Sequence, residues 1–323
     1  QGYSSAASDV YKRQRILYSL LAIFIVFNIL AAIQAYAMTH YVNKTEKEAS
    51  EQGIISMLFT GIDIARPVSD ILPARPYTTV QIPAEGDNTM EAWIIKTDSV
   101  SKGVFLLFHG YTDHAESMLH EAYPLLDMGY DVVIPNFRGS GNSYSNQTTI
   151  GYLEAANVKQ VYDYAEKELK PKSISLLGMS MGAAAITKAM HDYQLSVKCV
   201  ILEAPYGRMF DAVGVRIGKV PVVGTPLSYL MTFWGGAVNG FNAFSMNPDQ
   251  FVKDIKVPTL LLYGGKDQHI PVDESMRIYN NIGSDIKEQH MFADATHESY
   301  PRTWLNEWKT TVSDFLSNKV EKQ

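Results

Sequence analysis

Beyond residue 100, the chain alternates between short continuous apolar runs and longer segments with helical periodicity. Continuous apolar runs are typical of strands buried on both faces, and apolar positions three or four apart are typical of helices packed on a sheet. The predicted strands are 104–108, 131–134, 174–177, 197–202, 259–263 and 287–292, and the predicted helices are 117–128, 152–169, 273–281 and 301–316, with one more after residue 180. This alternation predicts an α/β fold with a mostly parallel central sheet flanked by helices.

Two segments before residue 100 follow a different pattern, in which apolar and polar positions alternate one by one. These segments are 77–82 and 91–97, and the turn residues Gly86, Asp87 and Asn88 lie between them. Alternation of period two with a polar turn in the middle predicts a pair of antiparallel strands.

The interval 206–250 breaks the alternation of strands and helices, because it is too long for a simple crossover between two strands. It is rich in glycine, methionine and aromatic residues. Long insertions of this kind tend to form functional lids, so we predict a small cap over the site. Most of its aromatic side chains are expected to pack the cap onto the core, and those that face the cleft would favour an acyl or aromatic substrate group.

Residues 16–37 carry no charged side chain and extend for about 33 Å as a helix, which is enough to cross a bilayer. Lys12, Arg13 and Arg15 precede this run, and basic residues before a span keep the N-terminus in the cytoplasm and place the following domain outside. The segment Ala35-Tyr36-Ala37 also fits the cleavage rule of a signal peptide, but the run is longer than a usual signal sequence. An uncleaved anchor is therefore the favoured interpretation, and a buried core helix is the least favoured.

Residues 1–14 resemble translated adapter sequence and are expected to be a non-native leader, so they are set aside in the prediction of the fold. The predicted division is a leader at 1–14, a transmembrane anchor or signal peptide at 15–38, a membrane-proximal connector at 39–76, and an α/β domain at 77–318 with its cap at 206–250.

Composition narrows the class of protein. With 323 residues, 46% of them hydrophobic, the chain can bury one large core, and its net charge of −6 gives no reason to expect nucleic acid as a partner. The single cysteine, Cys199, forms no intrachain disulfide and is expected to be a buried thiol, which leaves the redox compartment open. Metal-ligand spacings, a P-loop and a dinucleotide-binding motif do not occur in the sequence, so we expect no metal and no cofactor.

The segment Gly178-Met179-Ser180-Met181-Gly182 is a complete G-x-S-x-G motif between a predicted strand and a predicted helix. In a nucleophile elbow the serine occupies a sharp, strained turn, so residues two before and two after it must be nearly free of side chains. Glycine at both places therefore predicts that Ser180 is the nucleophile at such a turn.

A serine hydroxyl becomes a good nucleophile when a histidine removes its proton and a carboxylate orients that histidine. His297 and Asp267 each follow a predicted strand, at the edge where parallel sheets build their sites, and are the predicted base and acid. Glu203 also follows a strand and is a second candidate for the acid. The competing histidines are His109, His114, His120 and His269, of which His109 is expected to brace its loop.

The segments HGYTDH, NFRGSGNS, GMSMG, LLYGGKDQHIP and ATHES together resemble the α/β-hydrolase superfamily, in particular the serine hydrolases that include Bem46-like proteins and the serine aminopeptidase S33 domain. The likeness covers 77–316 and has the chain order Ser, Asp, His of that superfamily. It implies Ser180 as nucleophile, Asp267 as acid, His297 as base and no cofactor. The sequence departs from the commonest pattern at Asn136, where many relatives have Asp, and at Ala183, where lipase-like members often have glycine.

The same resemblance predicts an oxyanion hole made of two backbone N–H groups. One belongs to Met181, which follows the nucleophile, and the other to Tyr111, in the loop after the strand 104–108. Gly110 would let this loop approach the substrate.

The sequence thus predicts a membrane-anchored, extracytoplasmic serine hydrolase that acts on a small-molecule carboxylic ester or thioester through an acyl-enzyme. An aminopeptidase is the alternative enzyme, and it would need an anion for the substrate amine, for which Glu203 and Asp211 are candidates. The third hypothesis is a catalytically idle binding protein on the same fold. The sequence does not predict the oligomeric state.

Overall fold

The computed structural model of the chain describes residues 2–217 and 224–322. Residue 1 of the predicted leader and residues 218–223 of the predicted cap lie outside the described residues. The strands are β1 (Tyr77–Pro83), β2 (Thr89–Ile95), β3 (Val104–Phe108), β4 (Asp131–Pro135), β5 (Ile174–Met179), β6 (Val200–Glu203), β7 (Thr259–Gly264) and β8 (Lys287–Phe292). The helices are α1 (Gly2–Thr39), α2 (Glu46–Ser50), α3 (Ile54–Thr60), α4 (Leu119–Asp127), α5 (Glu154–Tyr164), α6 (Met181–Tyr193), α7 (Met209–Ile217), α8 (Gly224–Ala237), α9 (Pro248–Phe251), α10 (Val272–Asn281), α11 (Tyr300–Thr303) and α12 (Leu305–Phe315).

All of these strands join one sheet in the order β1-β2-β4-β3-β5-β6-β7-β8. The strand β2 runs antiparallel to β1 and β4, and the pairs from β4 through β3, β5, β6 and β7 to β8 are parallel. The predicted α/β fold, its mostly parallel sheet and its antiparallel pair at one edge are therefore confirmed. Because six neighbouring strands point the same way, the loops after β4, β3, β5, β6, β7 and β8 meet at one edge of the sheet.

The core lies on both faces of the sheet, because successive side chains of a strand point to opposite faces. Leu106 and Leu176 face the layer that contains α5, α6 and α10, whereas Phe105 and Leu177 face the layer that contains α4 and α12. Trp308 of α12 is fully buried in the second layer. The two layers hold the strand ends rigidly and so fix the loops that carry the polar residues.

The N-terminal helix α1 extends beyond the predicted anchor, from Gly2 to Thr39, and residues 2–14 of the predicted leader continue the same helix. Its stretch Asp9–Thr39 is long and apolar enough to cross a membrane, and an 18-residue window within it has a mean hydropathy of 2.6 with almost none of its residues buried. A buried core helix, the least favoured of the three interpretations, therefore does not fit this part of α1. The last turns of α1 are an exception, because Ala31 and Ala35 are buried against the cap helix α8.

Two predicted helices differ from the observed ones at their ends. The helix predicted at 301–316 is divided at Trp304 into α11 and α12, because Trp304 leaves the helical conformation with φ −114° and ψ 46°. The helix predicted at 152–169 is α-helical only over Glu154–Tyr164 and continues over Ala165–Leu169 as a wider π turn.

Candidate active site

Ser180 lies in the turn between β5 and α6, in a strained backbone conformation. Its φ of 51° and ψ of −111° fall outside the regions that non-glycine residues favour. A Cβ at Gly178 would lie 2.6 Å from the carbonyl carbon of Gly182, and a Cβ at Gly182 would lie 2.1 Å from the carbonyl oxygen of Phe108. Both positions are therefore restricted to glycine by close backbone contact, as the motif predicts.

Ser180, His297 and Asp267 form one hydrogen-bonded line. The distance from Ser180 Oγ to His297 Nε2 is 2.9 Å, and the distance from His297 Nδ1 to Asp267 Oδ2 is 2.7 Å. The carboxylate favours the tautomer with hydrogen on Nδ1, which leaves Nε2 to accept the proton of the serine hydroxyl. Ser180 and Asp267 are both buried, so water competes little for these hydrogen bonds.

The carboxylate of Asp267 accepts three hydrogen bonds. Oδ1 accepts the backbone N–H groups of His269 and Ile270, at 2.7 and 2.9 Å, while Oδ2 is bonded to His297. Burial acts to raise the pKa of Asp267, but the hydrogen bonds, above all the one from His297, outweigh burial and lower the pKa below its usual value. Asp267 is therefore ionised at neutral pH and can stabilise a positive imidazolium.

Two glycines at the end of β7 allow the loop that carries His297 to approach the acid closely. A Cβ at Gly264 would lie 2.6 Å from the carbonyl oxygen of Ala295, and a Cβ at Gly265 would lie 2.4 Å from that of Ala293. The loop after β8 therefore packs directly on the backbone of the loop after β7, and this contact sets the distance between base and acid.

The predicted oxyanion groups, the backbone N–H groups of Tyr111 and Met181, lie on loops that pass beside Ser180. Met181 is the first residue of α6, and the first N–H groups of a helix have no partner within it. Neither N–H group donates to a protein acceptor within the ranges 2–217 and 224–322. A Cβ at Gly110 would lie 3.8 Å from the Cβ of Ser180, so the loop after β3 reaches the serine at Gly110.

His109 is fully buried and braces this loop, as predicted. Its Nδ1 donates to the carbonyl of Gly110 at 2.8 Å, and its Nε2 accepts the N–H of Phe137 at 3.0 Å. Burial lowers the pKa of His109, so the ring is neutral, with one nitrogen donating and the other accepting. This arrangement ties the loop after β3 to the loop after β4.

A cleft of about 860 Å³, part of it open to solvent, lies over Ser180 and Met181. Most of its lining is apolar, and the cap contributes Met209, Val213, Met231 and Phe241. A concave apolar cleft with few polar groups fits an acyl chain or an aromatic group. The apolar cleft lining expected from the cap segment is therefore present in the described part of the cap.

One wall of this cleft comes from the end of α1, more than a hundred residues before the serine. Ala35, Met38 and Thr39 line the cleft, and the hydroxyl of Tyr111 donates to the carbonyl of Met38 at 2.6 Å. The loop that carries the predicted oxyanion donor is thus bonded to the last turn of α1. No local pattern in residues 35–39 indicates a contact with the cleft, so the sequence does not predict this part of α1 as a cleft wall.

Comparison with known proteins agrees with the observed fold. Residues 99–230 match the family model described as serine aminopeptidase, S33. The chain is 24% identical to protein YqkD of Bacillus subtilis over 66% of this chain and 70% of that protein, and 23% identical to protein bem46 of Schizosaccharomyces pombe over 75% and 77%. The esterase Pf2001 of Pyrococcus furiosus superposes with a TM-score of 0.66 and 25% identity, over 79% of this chain and 97% of the esterase.

The chain belongs to the α/β-hydrolase superfamily. The fold, the elbow and the chain order of Ser180, Asp267 and His297 agree with this membership, as the sequence motifs predict. The match to the family model ends at residue 230, so it covers Ser180 but neither Asp267 nor His297.

In this hydrolase Glu203, the alternative acid, does not contact His297. Its side chain is fully buried below the elbow, and its Oε1 accepts the indole N–H of Trp308 at 2.6 Å. Among the competing histidines, the ring of His269 lies 5.3 Å from that of His297, and His114 lies between Asp113 and Glu116. His297 is the histidine that is hydrogen-bonded to Ser180.

At Asn136, where many relatives have Asp, the amide has a structural role. Its Oδ1 accepts the N–H of Ala115 at 2.8 Å, and its Nδ2 donates to Glu91. An Asp could accept from Ala115 in the same way, but it would place a negative charge beside Glu91. The amide is therefore suited to the presence of Glu91.

Two features of the site have no local sequence signal. Thr232 of α8 lines the cleft with a buried hydroxyl that has no hydrogen-bond partner within the described residues. The second feature is Glu154, which accepts hydrogen bonds from Thr148, Thr149 and Gly151. These hydrogen bonds hold the loop that carries Thr149 and Ile150 in the cleft wall. No group of three or more side chains that could hold a metal ion occurs in the part of the chain that the structure describes.

Proposed function

We propose that this α/β-hydrolase cleaves carboxylic esters or thioesters through an acyl-enzyme on Ser180. The observation that carries the proposal is the hydrogen-bonded line Ser180–His297–Asp267 at the base of an apolar cleft. An activated serine provides the chemistry, and the cleft provides a binding site for the acyl group.

In the proposed mechanism, Ser180 Oγ attacks the ester carbonyl while His297 Nε2 takes the hydroxyl proton. The carbonyl electron pair moves to the oxygen, and the N–H groups of Tyr111 and Met181 donate hydrogen bonds to this oxyanion. When the intermediate collapses, the imidazolium gives its proton to the leaving alcohol or thiol and the acyl-enzyme forms. Water then attacks the acyl-enzyme, with His297 as base, and releases the acid and free Ser180.

The two candidate anions for a peptidase are engaged elsewhere. Glu203 is buried against Trp308, and Asp211 is paired with Arg277 at 3.0 Å. Neither carboxylate lines the cleft, where a substrate α-amine would need a negative partner. The apolar lining therefore favours an acyl group over the free N-terminus of a peptide.

We also propose that α1 remains attached as a membrane anchor, with the catalytic domain outside the cytoplasm. Arg15 precedes the apolar span and lies outside the predicted leader, and a basic residue at this end favours this orientation. Cleavage after Ala37 would remove Ala35 from the wall of the cleft. An uncleaved helix is therefore the arrangement that keeps this wall in place.

The full chain in detergent micelles would test the activity. Umbelliferyl esters and thioesters of increasing acyl length should be hydrolysed, aminoacyl amides should be hydrolysed far more slowly, and Ser180→Ala should abolish turnover while keeping the circular dichroism spectrum of the wild type. Hydrolysis of aminoacyl amides in preference to esters would favour the peptidase. A folded wild type that hydrolyses neither substrate class would favour the idle binding protein.

A further inference from the structure

The helices α3 and α8 pack on the last third of α1, the part nearest the catalytic domain. We propose that α3 and α8 are immersed with α1 in one leaflet of the bilayer, and that the ester enters the cleft from that leaflet rather than from water. This inference rests on the proposed function, and it identifies the substrate as an ester whose acyl chain resides in the membrane.

The cap helix α8 packs along α1 over several turns. The indole N–H of Trp234 donates to Asn28 Oδ1 at 3.1 Å, and Met231 packs on Ala31 and Ala35. These contacts begin at Asn28, well inside the apolar stretch Asp9–Thr39. Part of the helix that is apolar enough to cross the bilayer is therefore covered by the cap.

The length of α1 requires this covered part to lie in the hydrocarbon. From Ile16, after the last basic residue, to Phe27, just before the first contact with α8, the helix is about 18 Å long. A hydrocarbon core of about 30 Å needs about 20 residues, so a span that starts at Ile16 ends near Ala35. About 12 Å of the span is therefore made by turns that α8 already contacts, and α8 must enter the leaflet with them.

The exposed surface of α3 and α8 suits a lipid environment. We define the collar as the exposed apolar side chains that these helices place around the end of α1, namely Ile54, Ile55, Leu58, Phe59, Tyr229 and Phe233. Each of the six is at least half exposed, and Ile54 is 84% exposed. Exposed apolar side chains of this kind, on helices that pack against a helix able to span a membrane, are suited to contact with lipid.

The short helix α3 is fixed to α1 at the same level as α8. The side-chain amide of Gln34 donates to the carbonyl of Met57 at 2.7 Å. A Cβ at Gly61, which ends α3, would lie 2.3 Å from the Cβ of Ala37, so glycine allows the chain to pass directly against α1. The collar is therefore held at residues 31–37 of α1, near the end of the span.

Backbone hydrogen bonds hold the junction between α1 and the catalytic domain on two sides, so the collar keeps its position relative to the cleft. The N–H of Tyr41 donates to the carbonyl of Asn146 at 2.7 Å, and the N–H of Thr148 donates to the carbonyl of Thr39 at 2.9 Å. Val42 forms a bridge with Ala65 on the other side. These hydrogen bonds hold the end of α1 against the domain instead of leaving it as a free tether.

The cleft and the collar occupy different faces of the same helix. Met231, Thr232 and Gly235 of α8 line the cleft, whereas Tyr229 and Phe233 face outward. At about 100° per residue, the mean directions of these two sets differ by more than a quarter turn, although Thr232 and Tyr229 are only about 60° apart. The cleft lies between the end of α1 and the cap, because Ala35 and Met38 line it together with Met231. With α8 in the leaflet, this cleft would adjoin the hydrocarbon, and an acyl chain would enter it without crossing water.

The first test measures the depth of α8. Phe233→Cys and the control Val100→Cys are labelled with an environment-sensitive fluorophore in the full chain and placed in phosphatidylcholine vesicles. Val100 is as exposed as the collar residues, but it lies in the loop between β2 and β3, at the edge of the sheet opposite Ser180. The native Cys199 is fully buried. Bromine on the lipid acyl chains should quench the label at 233 and leave the label at 100 unquenched.

Quenching of the label at position 233 by aqueous iodide, as strongly as at position 100, would overturn the immersion of α8. A label at 233 that neither brominated lipid nor iodide reaches would also overturn it, because another protein surface would then cover the collar.

The second test compares two esters of one fluorophore. Phe233→Glu should lower the hydrolysis of a long-chain umbelliferyl ester dissolved in vesicles roughly tenfold or more, because hydrocarbon excludes a carboxylate. The same variant should hydrolyse the water-soluble butyrate ester as fast as the wild type, and Val100→Glu should leave both rates unchanged. Equal rates of Phe233→Glu and wild type on the vesicle ester would refute entry from the leaflet. A wild type that hydrolyses neither ester would instead refute the proposed function.

Discussion

The two halves of the site are built in different ways. The proposed catalytic residues lie on the loops after β5, β7 and β8, and backbone contacts and hydrogen bonds of 2.7 to 2.9 Å fix them. The walls of the cleft come from α1, α7 and α8, where apolar side chains meet and hydrogen bonds are few. In the proposed mechanism, the first half sets which bond breaks, and the second half sets which molecule reaches it.

This difference explains why the two halves would respond differently to substitution. A strand end is held by the sheet on both sides, so a small change there alters a distance in the reaction. A wall of methionine and alanine side chains can repack, because methionine is flexible and adapts to a new shape. Changes in the walls should therefore alter the substrate preference more than the rate of the chemical step.

The largest effect is expected for Asp267→Asn. An amide cannot stabilise the imidazolium and favours the wrong tautomer of His297, so ester turnover should fall roughly 10³- to 10⁴-fold, by analogy with other serine hydrolases. The side-chain amide keeps the size of the carboxylate, and thermal unfolding should change little. Hydrolysis of the butyrate ester in micelles measures the rate, and a loss below tenfold would contradict the assigned role of Asp267.

A large loss of stability is expected for Gly182→Ala, because its Cβ would lie 2.1 Å from the carbonyl oxygen of Phe108. Overpacking of this kind lowers the free energy of unfolding by about 1 to 3 kcal/mol. Gly110→Ala is the matched control, since its Cβ would lie at an ordinary distance of 3.8 Å from the nearest atom. Thermal unfolding in micelles should separate the two variants, and equal melting temperatures would show that the elbow can relax.

A smaller effect, which depends on pH, is expected at Glu121 in the body of the fold. Burial raises the pKa of Glu121 to about 7, although the hydrogen bond from the hydroxyl of Ser299 acts to lower it. Burial also raises the pKa of Glu203, and the neighbouring carboxylate of Glu121 raises it further. The folded state therefore binds more protons than the unfolded state between about pH 4.5 and 7. The contribution of Glu121 to stability is present below this window and is lost as pH rises through it.

Glu121→Gln should remove part of this dependence. The wild type should melt at a lower temperature at pH 8 than at pH 5, and the difference should shrink in the variant, which stays neutral and can still accept from Ser299. An equal difference in both proteins would show that Glu121 is not protonated in the folded state at pH 5 to 7.

The smallest effect is expected for Thr232→Val in the wall of the cleft. Valine keeps the shape of threonine and removes a buried hydroxyl that has no partner among the described residues. Stability should stay equal or rise by about 1 kcal/mol at most, and KM for esters with apolar acyl chains should fall slightly while kcat stays constant. A large loss of kcat would instead assign the hydroxyl a part in the reaction.

The sequence predicts the chemical half of the site well, because its signals are local. The two glycines around Ser180, the Gly-Gly turn before Asp267 and the strand before His297 each indicate a backbone geometry at one place in the chain. The walls depend on contacts between distant segments. Asn28 and Trp234 are some two hundred residues apart, and no spacing or motif indicates that they form a hydrogen bond.

The central claim is that Ser180 is an activated nucleophile, and a fluorophosphonate probe tests it most directly. The full chain should be used, because α1 supplies part of the cleft. Rapid labelling of the wild type is expected in micelles, with no labelling of Ser180→Ala and much slower labelling of His297→Ala. A folded wild type that resists the probe, or a Ser180→Ala variant that is labelled as fast as the wild type, would contradict the account.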